Sequence, residues 1–239
     1  FIQSIIMSIA LIIVFIFGIN VAGGVSAVVE NAQSLPGYLT MHTTYDPVSG
    51  TEQPYPIISI VSMIAWGLGY FGMPHILLRF MAIEDEEKLK LSRKVATGWV
   101  VISLAVAVLI GIIGLAMTAA GELIPLEGSA SETIIVKIAD LMSQHGVLPA
   151  LLAGTILAGI LASTMSTADS QLLAASSSVS SDLLGDFLKK KTGKKGSMFA
   201  DRITLLIIAL VAVFLARDPN SSVFNIVSFA WAGFGAVFG

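Results

Sequence analysis

The chain has 239 residues, 55% of them hydrophobic and only 12% charged, with a mean hydropathy of +0.88. Soluble domains carry about 25% charged residues, so this composition excludes an ordinary soluble domain and points to a lipid bilayer as the surroundings. The net charge of −3 suggests no nucleic-acid partner, and the lack of cysteine excludes disulfides, thiolate metal sites and cysteine nucleophiles.

A bilayer core takes about 20 apolar residues per helix. Six stretches predict crossings: 1–22, 56–82, 95–119, 147–184, 198–216 and 222–239. The first opens as FIQSIIMSIALI, without an initiator Met, a basic flank or a small-residue cleavage site, so it does not read as a signal peptide. The last stretch stops in AWAGFGAVFG, still apolar, and both ends are expected to be cuts in a larger, transporter-sized protein. Between the first two crossings, a short helix near 25–33 is expected, then turns at SLPGYLT and DPVSGTEQPYP.

The second crossing contains AWGLGYFGMPH. Gly67, Gly69 and Gly72 weaken a helix and Pro74 removes a backbone donor, so an interrupted helix is expected here. Amides and carbonyls freed at membrane depth must face protein or a water-filled cavity. Trp66, Tyr70 and Phe71 would wall that cavity, and such a break is the best sequence pointer to a transporter site. A kinked, glycine-packed helix is the other reading. His75 either satisfies a freed carbonyl or touches solute, and Arg79 is expected to snorkel to the interface.

After the third crossing, residues 121–146 predict a surface helix. Ser129 and Glu132 have capping-box spacing ahead of the apolar stripe Ile134, Ile135, Ile138, Leu141 and Met142. The fourth crossing carries LASTMSTADS, where Ser163, Ser166, Thr167 and Ser170 fall at i, i+3, i+4 and i+7 on one helical face. Asp169 lies at its edge. A carboxylate at membrane depth costs about 2.5–3.5 kcal/mol on insertion scales, so something should offset it. A dehydrated cation is one candidate, and hard oxygen ligands suit Na⁺. Helix–helix or back-to-backbone hydrogen bonds are the other, and they account adequately for Ser176, Ser177, Ser178, Ser180 and Ser181.

Eleven basic residues follow the second and fourth crossings, against two, Lys137 and Arg217, on the other side. The positive-inside rule therefore makes the loops 83–94 and 185–201 cytoplasmic.

WGLGYFGMPHILLRFMA, LAGILASTMSTADSQLLAASS and VSFAWAGFGAVFG closely resemble the solute:sodium symporter family, and its bacterial sodium/proline symporters most of all. The resemblance implies an all-α polytopic membrane protein with part of a LeuT-type inverted-repeat fold. Residues 1–23 would be the last helix of the first repeat and residues 56–239 most of the second, a single transmembrane unit of about six helices with one broken. It further implies Na⁺ bound by the Ser163 carbonyl and the Ser166 and Thr167 side chains, together with a helix outside this chain. Asp169 and Ser170 match positions that help form a second sodium site in some members. Trp66, Tyr70 and Pro74 match positions associated with the solute pocket. One departure stands out, since proline symporters typically read Gln where this chain has Met73.

The expected function is sodium-coupled uptake of a small organic solute, proline or another amino acid, across the plasma or inner membrane, and not an enzymatic reaction. The rivals are a membrane sensor that retains the symporter fold and a sodium symporter for a sugar, carboxylate or vitamin. A channel lacks its charge rings or filter loop, and an intramembrane hydrolase lacks its Ser–His or paired-Asp arrangement.

Overall fold

A computed structural model of the chain describes residues 2–180, 194–218 and 221–238. In order, the helices are α1 (Ile2–Val21), α2 (Val25–Ser34), α3 (Ile57–Ala65), α4 (Pro74–Met81), α5 (Glu86–Ala119), α6 (Ile134–Ser143), α7 (Val147–Ser177), α8 (Lys194–Leu215) and α9 (Val223–Phe238). A 3₁₀ segment, Trp66–Gly72, links α3 to α4, and another, Gly128–Thr133, precedes α6. Among the described residues, four stretches are long and apolar enough to cross a membrane: Gln3–Val21, Glu86–Ala119, Val147–Ser180 and Met198–Leu215. Ile57–Tyr70 and Val223–Val237 are shorter apolar helices.

The best-packed region lies where the C-terminal halves of α1 and α5 meet α2, α6 and the start of α7. Val14, Ile110, Met117, Ile138 and Met142 are fully buried there. The fit is close enough to require glycine at one point, since a Cβ on Gly18 would lie 2.6 Å from Ile113 Cγ2. Away from this core the apolar side chains of the long helices face outward, as hydrocarbon surroundings permit.

Several expectations change. Only 83–85 of the expected 83–94 loop is non-helical: Asp85 caps α5 by accepting the Glu87 amide at 3.0 Å, and the helix runs through the charged EEKLKLSRK stretch. Its 34 residues make a rod of about 51 Å, longer than the roughly 30 Å hydrocarbon core. Glu84 and Lys88 pair at its start. Residues 194–201 of the second expected loop belong to α8, while 185–193 lie outside the described residues. The fourth crossing is helical to Ser177 and turns π-helical over 178–180, and 181–184 also fall outside the described residues.

Residues 24–55, expected to hold turns after α2, also contain an antiparallel hairpin, with β1 (Thr43–Asp46) pairing β2 (Thr51–Pro54). Asp46 folds the tip by accepting the Val48 amide at 3.0 Å and the Ser49 hydroxyl at 2.7 Å. These bonds, Ser49 first, hold its carboxyl below the ordinary value.

Candidate functional site

The oxygen-bearing face of α7 forms as the spacing predicts. Thr167 Oγ1 donates to the Ser163 carbonyl at 3.2 Å, and Ser170 Oγ donates to the Thr167 carbonyl at 2.8 Å. Ligand oxygens about 2.3–2.6 Å from a calcium-sized cation, set at right angles, lie roughly 3.3–3.7 Å apart. The Ser163 carbonyl and the Thr167 hydroxyl are therefore spaced almost as two ligands of one such ion. The same bond also satisfies the back-bonding alternative, in which the hydroxyl merely returns to its own helix. Ser166, Thr167 and Asp169 are exposed, and Ser163 and Ser170 are half-buried. Among the described residues no three His, Cys, Asp or Glu side chains gather as a metal site. The ligands on offer are thus hydroxyls, a carbonyl and one carboxylate.

Helix α1 braces this part of α7. Gln3 Nε2 donates to the Ala162 carbonyl at 3.2 Å, one residue before Ser163. The C-terminal half of α7 is tied to α8 by two bonds that composition alone did not reveal. Ser176 Oγ donates to the Asp201 carbonyl at 2.9 Å, and Ser180 Oγ donates to the Asp201 carboxylate. Of the serines expected to make helix–helix or back-to-backbone bonds, these two reach across to a neighbouring helix.

The interrupted helix is present. α3 tightens into the 3₁₀ segment at Trp66, Met73 leaves helical geometry at φ −91° and ψ 103°, and Pro74 restarts the helix as its first residue. Seven residues are long for 3₁₀ geometry, which weakens hydrogen bonds and marks hinges. Met73, the departure from the proline-symporter pattern, is only 5% exposed. It packs inside rather than lining open space. The side chains of Phe71, Pro74 and His75 lie outside the described residues.

Helix α9 lies along the 3₁₀ segment and supplies a partner that sequence reasoning missed. Trp231 meets Trp66 with ring centroids 5.8 Å apart and Tyr70 edge-on at 5.6 Å. Phe224 also stacks on Trp66, with centroids 5.5 Å apart. Gly69 makes this approach possible, because a Cβ there would sit 2.5 Å from Trp231 Cδ1. A cavity of about 270 Å³ opens between α3 and α9 beside Trp66, Ser228 and Trp231. The Ser228 hydroxyl and the Trp231 indole nitrogen are buried, with no hydrogen-bond partner among the described residues. Leaving such a group unpaired costs about 1–3 kcal/mol.

The N-terminal end of α9 is capped from a distance. Glu132 accepts the Ser222 hydroxyl at 2.5 Å and the Val223 and Phe224 amides at 3.0 and 3.4 Å. The expected capping box with Ser129 is therefore not formed. Thr133 stands at the start of α6 without a side-chain cap, and Glu132 serves another helix. The Ser222 hydroxyl and the amides of α9 hold the Glu132 carboxyl below the ordinary glutamate value.

The sodium:solute symporter family matches the chain over residues 1–239. The osmoregulated proline transporter OpuE of Bacillus subtilis is 36% identical over 239 residues, covering 100% of this chain and 45% of its own length. The high-affinity proline transporter PutP of the same organism is 35% identical over 239 residues, covering 100% and 47%. The sodium/proline symporter of Staphylococcus aureus is 42% identical over 184 residues, covering 76% and 34%. The chain thus spans less than half the length of the curated relatives it matches. No solved structure matches. The chain belongs to the sodium:solute symporter family.

Proposed function

We propose that this chain forms part of a secondary transporter that couples inward Na⁺ flow to uptake of a small organic solute, with proline the leading candidate. The observation that carries the reading is the pairing, in one chain of this family, of an oxygen-lined membrane helix with an interrupted helix walled by aromatic rings. The names of the relatives point to proline. The departure at Met73 is a buried side chain that does not line the cavity beside Trp66 and Trp231.

In this reading the Ser163 carbonyl, Ser166 and Thr167 hold Na⁺ with groups from elsewhere in the protein. Asp169 and Ser170 are available for a second ion, and Trp66, Tyr70 and Pro74 border the solute. The fold is of the LeuT type, with residues 1–23 closing the first repeat and 56–239 forming most of the second. α3, the 3₁₀ segment and α4 together count as one crossing and α9 as another, which makes six. The basic ends of the second and fourth crossings face the cytoplasm across the plasma or inner membrane. Na⁺ binding on α7 favours the outward-open state, and rocking of one helix bundle against the other exposes both ligands to the inside.

The energetics suffice. One charge moving through 100 mV releases about 2.3 kcal/mol, and a tenfold Na⁺ gradient adds about 1.4 kcal/mol. One Na⁺ thus sustains several-hundredfold accumulation, and a second would roughly square that limit. The test is uptake of labelled proline by the full-length parent in proteoliposomes, with and without a sodium gradient, against competing amino acids, sugars and carboxylates. Sodium-driven uptake displaced best by proline is expected. Uptake indifferent to sodium, or no uptake of any solute, would refute the proposal.

A further inference from the structure

The cavity between α3 and α9 holds two polar atoms with nothing to bond to. Ser228 Oγ and Trp231 Nε1 are buried and unpaired among the described residues, and both residues line the cavity. They stand three residues apart on α9, one turn above the other on the same helical face. The opposite wall is Ser62, Met63 and Trp66, and no charged side chain contributes to the lining.

Chemistry narrows what could pair with them. An indole N–H only donates, so its partner must be an acceptor, whereas a serine hydroxyl can serve either way. A carboxylate offers two acceptor oxygens to donors on successive turns, and its charge makes each bond stronger than a neutral one. The remaining walls are Trp66, Met63, Ser62 and small residues, which suit a compact, largely apolar body. The volume of about 270 Å³ falls just under the 300–1,000 Å³ of drug-sized pockets, the right scale for an amino-acid-sized molecule.

We propose that Trp231 Nε1 and Ser228 Oγ form the carboxylate subsite of the solute pocket, selecting small monocarboxylates whose apolar ring or chain rests against Trp66. The proposal rests on the transport reading above and adds two residues to it. It also explains why Gly69 is glycine, since a side chain there would displace the indole that carries the donor.

The experiment uses the full-length parent with Trp231→Phe, which keeps a ring and removes the N–H, and with Ser228→Ala and Ser228→Thr. Ligand-induced thermal shifts are measured in detergent with L-proline, glycine betaine and pyrrolidine, the last being the ring without a carboxylate. Sodium-driven proline uptake is measured in parallel. Trp231→Phe is expected to raise half-saturating proline by about tenfold, with half-maximal sodium within twofold of wild type. The preference for proline over pyrrolidine should fall by the same factor, and Ser228→Thr should restore much of what Ser228→Ala loses. An unchanged proline preference in Trp231→Phe, equal weakening of proline and pyrrolidine, or a wild-type chain that no carboxylate stabilises would each overturn the subsite. Carboxylate-induced stabilisation lost in Trp231→Phe, in a parent that shows no sodium-driven uptake, would support the subsite and overturn the transport reading instead.

Discussion

The two ends of this chain's packing obey different rules. Where α1 and α5 meet α2 and α6, the buried side chains are Val14, Ile110, Met117, Ile138 and Met142, and the backbone there is regular helix. Where α9 meets the 3₁₀ segment, the contact is made by Trp66, Tyr70 and Trp231 around a break in the helix, and two buried polar atoms have no partner among the described residues. The first region is built for stability. The second gives up hydrogen bonds and helix geometry, which natural sequences do at functional sites. The contrast supports the solute site proposed beside Trp66 and Trp231.

Substitutions should separate the two regions. The largest effect on transport is expected from Gly69→Ala, whose methyl would strike the Trp231 ring and its carbonyl. Uptake by the full-length parent should fall by more than tenfold while the thermal midpoint moves little, and normal uptake would dissolve the contrast. The opposite pattern is expected for Met117→Ala, at a side chain with 0% exposure. It should cost about 2–5 kcal/mol of stability, read by denaturation in detergent. Its half-maximal sodium and proline concentrations should stay near wild type.

A smaller effect joins the two regions through Glu132. Its carboxyl is held below its ordinary value by the Ser222 hydroxyl and by the amides of α9. A carboxyl with a depressed folded value contributes stability above its unfolded value. That contribution is lost as pH falls through the folded value, so the cap on α9 should release only below the ordinary glutamate range. Hydrogen exchange at the Val223 and Phe224 amides should quicken there, and in Glu132→Ala it should be quick at every pH. Exchange that ignores both changes would remove Glu132 from the account. The smallest effect is expected from Asp85→Ala, which uncaps α5 at the Glu87 amide. It should cost about 1 kcal/mol and leave uptake unchanged.

Much of this was legible from residues alone. Long apolar runs gave α1, α7 and α8 because burial in hydrocarbon depends on composition over about 20 residues. The break at Gly67, Gly69, Gly72 and Pro74 was legible because those residues act on their own backbone. The start of α5 was misplaced because hydropathy is blind to a charged helix projecting beyond the bilayer, although Asp85 followed by EEKLKLSRK carries a cap and good helix formers. The hairpin of Thr43–Asp46 and Thr51–Pro54 was missed because short polar strands carry no alternation of burial. Glu132 was assigned to its own helix, and its real partners lie about ninety residues away. Trp231 escaped notice for the same reason. Its meaning comes from lying against Gly69, a contact no local pattern encodes.

The central claim is that the hydroxyl face of α7 binds the coupling ion. Sodium dependence of proline uptake by the full-length parent tests it most directly, comparing wild type with Ser166→Ala and Thr167→Ala at saturating proline. Half-maximal sodium should rise by about tenfold or more in both variants, as expected for the loss of one ligand to a charged group. An unchanged half-maximal sodium concentration in both variants would contradict the claim and leave the stripe as hydroxyls bonded back to their own helix.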